Sequence, residues 1–63
     1  MTHALTPRQL QVYRLMASGL IDKEIAEKLG LSKRTVESHV ATGMRRARAR
    51  TRAHYVLVVI GGP

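Results

Sequence analysis

The sequence contains no cysteine, no tryptophan and no phenylalanine, and its only aromatic side chains are two tyrosines. Without cysteine, the chain can form neither a disulfide bond nor a thiolate metal site. Its core must therefore be built from leucine, isoleucine, valine, methionine and alanine. A chain of 63 residues buries only about 60% of the surface that it exposes when unfolded. We therefore expect one domain of marginal stability, which would gain from association with a second copy.

Acidic residues are also scarce, since four of them face eleven lysines and arginines and leave a formal net charge of +7. All four acids fall within residues 22–37, where four cations balance them. Residues 38–63 contain five arginines and no acid. A basic excess on a small domain indicates a polyanionic partner, most often nucleic acid. The alternative is a basic face that only contacts solvent.

Long apolar runs and catalytic constellations are missing as well. The longest apolar run, Tyr55 to Ile60, is far too short to span a bilayer. The N-terminus lacks the basic-then-apolar order of a signal peptide, so we expect a cytoplasmic protein with no membrane partner. No nucleophile–base pair, carboxylate dyad or phosphate loop is visible, and the spacing of the three histidines matches no metal site. We expect no enzyme, no metal and no cofactor.

Residues 22–42, DKEIAEKLGLSKRTVESHVAT, are the stretch around which the chain is organised. Ile25, Ala26 and Leu29 would share one face of a helix. Gly30 follows where a helix commonly ends in a left-handed residue, and Ser32 can cap a new helix. Two helices joined by a short glycine-containing turn form a helix-turn-helix, whose second helix enters the major groove of DNA. An ordinary helical hairpin in a small bundle would show the same spacing.

The third helix, from about Lys33 to Arg46, has an unusual solvent face. Val36, Val40 and Met44 would be buried, with His39 at the margin. The outward positions are Lys33, Arg34, Glu37, Ser38, Ala41, Thr42 and Arg45. Short side chains occupy the middle of this face and cations lie at both ends, as a helix in a groove about 12 Å wide requires.

Helix-start signals precede the organising stretch. Residues 5–10 read LTPRQL, in which Thr6 and Gln9 form a capping box flanked by two leucines. Gly19 is the expected end of this first helix. Asp22 is the expected N-cap of the second helix.

The C-terminal part leaves two questions open. Residues 45–52, RRARARTR, carry an arginine at every second position from Arg46. On a helix these side chains would scatter around the circumference, and on an extended segment they would line one side and follow phosphates; a plain solvated linker is the third option. Tyr55 to Ile60 suits a strand as well as a helix by propensity.

Several short motifs have a recognisable order. They are Leu5-Thr6-Pro7-Arg8, Gly19-Leu20, Lys23-Glu24-Ile25-Ala26, Leu29-Gly30-Leu31-Ser32, and Thr35-Val36 with His39. On these motifs, residues 5–57 resemble the LuxR/GerE-type helix-turn-helix domain of bacterial transcription regulators. The resemblance implies an all-α, four-helix domain over residues 1–63, with a tri-helical core and a C-terminal helix at about residues 52–60. In such domains the third helix reads double-stranded DNA and the fourth commonly dimerises.

The resemblance also assigns site residues by position. Glu37, Ser38 and Ala41 fall where base edges are touched, and the outward face adds Thr42 and Arg45. By position, Lys23, Arg34, Thr35 and His39 fall where phosphate contacts or support are expected. The basic residues of the chain add Lys33, Arg46, Arg50 and Arg52 as phosphate contacts. The expected homodimer interface consists of Tyr55, Val56, Val59 and Ile60. Glu37 could accept a hydrogen bond from cytosine N4, act as an electrostatic filter, or pair with a nearby lysine.

The sequence departs from the family pattern at two positions. Gly43 stands where a large apolar residue is usual, so we expect a gap in the packing and a cost of about 1 kcal/mol in helix propensity. Arg48 stands where a glycine usually ends the third helix, so this helix either ends there or continues into the fourth.

The expected function is a sequence-specific, dimeric DNA-binding regulator that occupies a promoter or operator, either as a stand-alone protein or as a fragment of a larger one. Two alternatives are kept. One is a sigma-factor-like promoter-binding domain that contacts RNA polymerase, although the Thr35-Val36 pair with His39 favours the regulator. The other is an interaction module or anti-regulator that captures a partner through the apolar C-terminus.

Overall fold

A computed structural model describes the backbone of residues 5–60 and the side chains of residues 5–59. It contains α1 (Pro7–Ala17), α2 (Asp22–Leu29), α3 (Lys33–Ala47) and α4 (Arg52–Ile60), and no strand within those residues. The predicted all-α fold is confirmed, and the strand alternative for the C-terminal segment is wrong. No helix in this part of the chain combines the length and the apolar character needed to cross a membrane. Helix α3 is the longest, and each of the other three packs against it.

Local capping sets where α1 and α3 begin. The Thr6 hydroxyl accepts from the Gln9 N–H (3.1 Å), and the Gln9 side-chain carbonyl accepts from the Thr6 N–H (3.0 Å). The predicted capping box of α1 is therefore confirmed. Ser32 caps α3 as predicted, because its hydroxyl accepts from the Thr35 N–H at 3.0 Å.

The prediction that Asp22 caps α2 is wrong. Ile21 is the N-cap residue, and Asp22 is the first residue inside the helix. The Glu24 carboxylate accepts the Ile21 N–H at 2.9 Å, which supplies the missing cap. The carboxylate of Asp22 is instead engaged by Arg52 of α4.

The first three helices end in the same way, with one left-handed residue. These residues are Gly19 (φ 108°), Gly30 (φ 68°) and Arg48 (φ 57°). After each, the next N–H donates to the carbonyl five positions earlier: Leu20 to Leu15 (3.2 Å), Leu31 to Ala26 (2.9 Å) and Ala49 to Met44 (2.8 Å). This arrangement is the Schellman motif. Helix α3 therefore stops at Ala47, and α4 is a separate helix rather than its continuation.

The core has two parts. The first contains Val12 of α1 together with four residues predicted to pack within the helix-turn-helix: Ile25, Ala26, Val36 and Val40. The second joins α1, α3 and α4 through Tyr13, Ala47 and Tyr55, so the expectation of a core without aromatic side chains is wrong. The two tyrosine rings meet edge to face with centroids 5.1 Å apart, and the Tyr13 hydroxyl donates to the Val56 carbonyl at 3.0 Å.

The prediction of a gap beside Gly43 is wrong. Tyr55 is only 1% exposed, and its ring end fills the space in front of Gly43. A Cβ atom at position 43 would overlap the Tyr55 hydroxyl and lie 2.9 Å from Tyr55 Cζ. Glycine at 43 and tyrosine at 55 are therefore complementary, and together they dock α4 onto α3.

Candidate nucleic-acid interface

Helix α3 has one buried side and one free side. Val36, Val40 and Gly43 are buried against the other helices. The residues predicted to face outward are exposed, apart from a half-buried Thr42: Lys33, Arg34, Glu37, Ser38, Ala41 and Arg45. The surface predicted to read DNA therefore faces solvent and is not buried against the other helices.

The dimensions of this surface suit a groove. Fifteen residues give α3 a length of about 22 Å, which exceeds the width of about 12 Å of the major groove. Ser38 and Ala41, in the middle, carry short side chains. The Arg45 guanidinium lies 3.5 Å from the Thr42 hydroxyl. The middle of α3 can therefore approach base edges closely, while its ends carry cations.

At the N-terminal end of α3, Thr35 has a structural role. Its hydroxyl lies 2.8 Å from the Ser32 hydroxyl, and its N–H donates to the same atom. The side chain is half-buried. Thr35 was predicted either to contact phosphates or to support the residues that do. Its contacts with Ser32 fit the supporting role, because they fix the start of α3.

Glu37 is held only weakly. Its carboxylate lies 4.0 Å from the Lys33 ammonium, with side chains 50% and 65% exposed. Exposed pairs at this spacing contribute about 0.3–0.5 kcal/mol. The lysine pairing that the sequence left open thus exists, yet it leaves the Glu37 carboxylate able to exchange its partner for a base donor.

An ion pair that the sequence did not reveal links α2 to α4. Both guanidinium nitrogens at the end of Arg52 donate to the Asp22 carboxylate at 2.8 Å. This hydrogen bonding lowers the pKa of Asp22, against the opposing effect of burial, and raises the pKa of Arg52. The two residues are thirty positions apart, so only the tertiary fold brings them together.

The pairing changes the expectation for Arg52. Its predicted phosphate contact stays a prediction, but its charge is already shared with a carboxylate. Arg52 also lines an open depression of about 560 Å³, together with Lys23, Lys33 and Glu37. The fold thus gathers predicted base and phosphate residues from three helices at one end of α3.

The arginine-rich run spans the end of α3, the turn after it and the start of α4. It is therefore neither one continuous helix nor one extended segment. Arg45 and Arg46 lie in the last turn of α3, and Arg48 is the left-handed residue that ends it. Arg50 precedes α4, which Arg52 begins. Cations in the last turn of a helix interact favourably with the negative end of its dipole. The run therefore concentrates positive charge at the C-terminal end of α3.

The expected dimer residues on α4 divide into different environments. Tyr55 is buried inside its own protomer, so its assignment to a dimer interface is wrong. Val56 and Val59 are half-buried, and the Ile60 side chain lies outside the described residues. Leu57, which was not among the predicted interface residues, is 70% exposed. It was missed because the rotation of α4 depends on Tyr55 docking against Gly43, which no local pattern shows.

Comparison with known families gives one family match. The model for bacterial regulatory proteins of the luxR family, GerE, matches residues 3–59. No solved structure gives a significant match to the chain.

Curated relatives are similar over most of this chain. Nodulation protein W of Bradyrhizobium diazoefficiens is 38% identical over 52 residues, 82% of this chain and 23% of that protein. An uncharacterized transcriptional regulatory protein of Bacillus subtilis, YxjL, is 40% identical over 87% of this chain and 25% of its own length. The transcriptional regulatory protein FixJ of Rhizobium meliloti is 38% identical over 92% and 28%. The chain thus spans about a quarter of the length of these relatives.

Proposed function

Since this chain belongs to the LuxR family of bacterial regulatory proteins, we propose that it regulates transcription by placing α3 in the major groove of a specific DNA site. DNA-binding transcription regulation is the function that the family and the named relatives support. The family is a class of regulators and not of enzymes. The finer statements below, on groove, residues and assembly, are proposals.

The observation that carries the proposal is the free side of α3. Its short central residues, Ser38 and Ala41, are exposed, and cations lie at both ends of the helix. A helix that served only the core would have no need of such a surface, and a merely solvated one would more often carry paired glutamates and lysines. We assign base contacts to Glu37, Ser38, Ala41, Thr42 and Arg45.

The phosphate contacts supply most of the affinity and little of the specificity. We assign them to Lys23, Lys33, Arg34, His39, Arg46 and Arg50, with Thr35 supporting the start of α3. Arg52 contributes less than the others, because its ion pair with Asp22 offsets part of its positive charge. Because each neutralised phosphate releases counterions, affinity for every duplex should fall steeply as salt increases.

The proposed assembly is a homodimer on two half-sites in the cytoplasm, with α4 at the interface. A helix-turn-helix dimer reads half-sites one helical turn apart, or multiples of that distance. Contact with RNA polymerase at the bound promoter is a further proposed interaction, which a ternary complex on promoter DNA would reveal.

Selection of bound sequences from random duplex DNA tests this proposal. We expect an enriched motif with two half-sites. The logarithm of the binding constant should fall linearly with the logarithm of the salt concentration. Glu37→Ala should change the enriched bases, whereas Arg50→Ala should weaken all sequences about equally and lower the salt slope by about one. If both variants produced the same uniform loss on every sequence, the division between base and phosphate contacts would be wrong.

A further inference from the structure

Arg48 occupies a backbone position that arginine adopts only with strain. Its φ of 57° places it in the left-handed region, where the Cβ of an ordinary residue crowds the following carbonyl oxygen. The same motif ends α1 and α2, and there the left-handed residue is glycine. At Gly19 and Gly30 a Cβ would meet no atom within 4 Å, so the backbone angle alone explains glycine at those two ends.

The Schellman hydrogen bonds hold the backbone of Arg48, but no contact of its side chain within residues 5–60 offsets the strain. Its side chain is exposed, and it has neither an ion pair nor a hydrogen bond to any group in that part of the chain. The negative end of the α3 dipole is already met by Arg45 and Arg46, so a third cation adds little there. Residues held in strained backbone conformations cluster at functional sites, and the first two helices avoid the strain at the same position with glycine.

We propose that Arg48 is a further DNA-backbone contact, whose guanidinium binds a phosphate at the C-terminal edge of α3. This inference deepens the proposed function and rests on it. The Schellman motif fixes the backbone of Arg48 through the hydrogen bond from Ala49 to Met44. The side chain therefore starts from a rigid point beside the helix that enters the groove. Arg46 and Arg50, assigned to phosphates above, flank it in the chain.

Three substitutions separate charge from backbone strain. Arg48→Gly removes both, and Arg48→Asn removes the charge while keeping a residue type that tolerates the left-handed region. Arg48→Lys keeps a cation and the strain. Arg14→Gln is the matched control, because it removes one exposed positive charge from α1, outside the assigned contacts.

The measurement pairs DNA affinity at several salt concentrations with a thermal melt of each free protein. We expect Arg48→Gly and Arg48→Asn to bind all duplexes several-fold more weakly, with the salt slope reduced by about 0.9. Arg48→Gly should nevertheless melt at a higher temperature than the parent. Arg48→Lys should bind nearly as the parent does, and Arg14→Gln should change affinity much less than Arg48→Gly.

The outcomes distinguish this inference from the function on which it rests. If the parent binds a selected site and Glu37→Ala changes its preference, but Arg48→Gly and Arg48→Asn bind as tightly as the parent, only the role of Arg48 is overturned. An equal loss of affinity in Arg14→Gln would also overturn that role, since the effect would then be one of net charge. If the parent ignores duplexes in dilute buffer, the proposed function fails and this inference fails with it.

Discussion

The hydroxyl group of Tyr55 lies where any side chain at position 43 would have to go. Tyr55 is 1% exposed, and burial raises the pKa of its phenol. Its hydroxyl has no hydrogen-bond partner among the residues that the structure describes. A buried donor left unpaired costs about 1–3 kcal/mol. The Tyr55 ring therefore packs closely against Gly43, and the unpaired hydroxyl makes this contact less favourable than the packing alone would.

Gly43→Ala should lower the free energy of unfolding, because the new methyl group displaces the Tyr55 ring. Overpacking costs about 1–3 kcal/mol, and the better helix propensity of alanine returns about 1 kcal/mol. Tyr55→Phe should be neutral or stabilising, since it removes the unpaired hydroxyl. Urea unfolding of the two single variants and the double variant measures the coupling. An equal cost of Gly43→Ala with tyrosine or phenylalanine at 55 would contradict this account.

Between elements, the ion pair of Asp22 and Arg52 joins the start of α2 to the start of α4. The Asp22 side chain is 12% exposed and that of Arg52 is 47% exposed. Because Arg52 lies just after the turn that ends α3, the pair holds α4 beside the helix-turn-helix. Its contribution is limited by the solvent around Arg52 and is on the order of 1 kcal/mol.

This ion pair predicts how stability depends on pH. The pKa of Asp22 is lowered in the folded chain, so the contribution is complete above the unfolded value of about 3.9. It is lost as the pH falls through the lower pKa of the folded state. Asp22→Asn should therefore lower the melting temperature by several degrees at neutral pH, since about 1 kcal/mol corresponds to about 4–8 °C in a domain of this size.

The same comparison under acid conditions provides the check. The difference between Asp22→Asn and the parent should shrink as the pH is lowered below about 4. Glu27→Gln is the control, because Glu27 is exposed and makes no ion pair within residues 5–60; it should melt close to the parent throughout. A constant difference for Asp22→Asn from neutral to acid pH would rule out the ion pair as its cause.

Local signals were sufficient for most of the helices and for the free side of α3. Caps such as Thr6 and Ser32, and stops such as Gly30, depend on a few neighbouring residues and can be read from sequence. Contacts such as Arg52 with Asp22, or Tyr55 with Gly43, depend on how distant segments meet, and no local pattern encodes them. For that reason the sequence placed Tyr55 on the wrong side of α4 and overlooked Leu57.

At the scale of the whole molecule, the fold leaves the apolar side chain of Leu57 in α4 largely uncovered. Leu57 is 70% exposed, while Val56, Val58 and Val59 around it pack partly against the second core cluster. A small domain gains from covering such a side chain with a second copy. Leu57 therefore takes the place of Tyr55 in the proposed dimer interface.

Leu57→Lys should weaken self-association and leave the fold intact. Substitutions at exposed positions usually change stability by less than about 0.5 kcal/mol, so the melting temperature of a dilute sample should hardly move. The mass in solution, measured over a range of concentrations and on a two-half-site duplex, should shift toward the monomer. Ala17→Lys adds the same charge at an exposed position of α1 and should leave the mass unchanged. A parent chain that stays monomeric even on DNA would contradict the proposed interface.

Helix α3 begins after the Ser32 cap and ends before the left-handed residue at position 48. Residues next to the helix in the chain therefore set its length. The side chains that project from its free side take no part in either signal and none in the core. The positions proposed to set target preference are consequently separate from those that set the fold. Exchanging Glu37, Ser38 and Ala41 as a block should retarget the domain to another operator while its melting behaviour stays nearly the same.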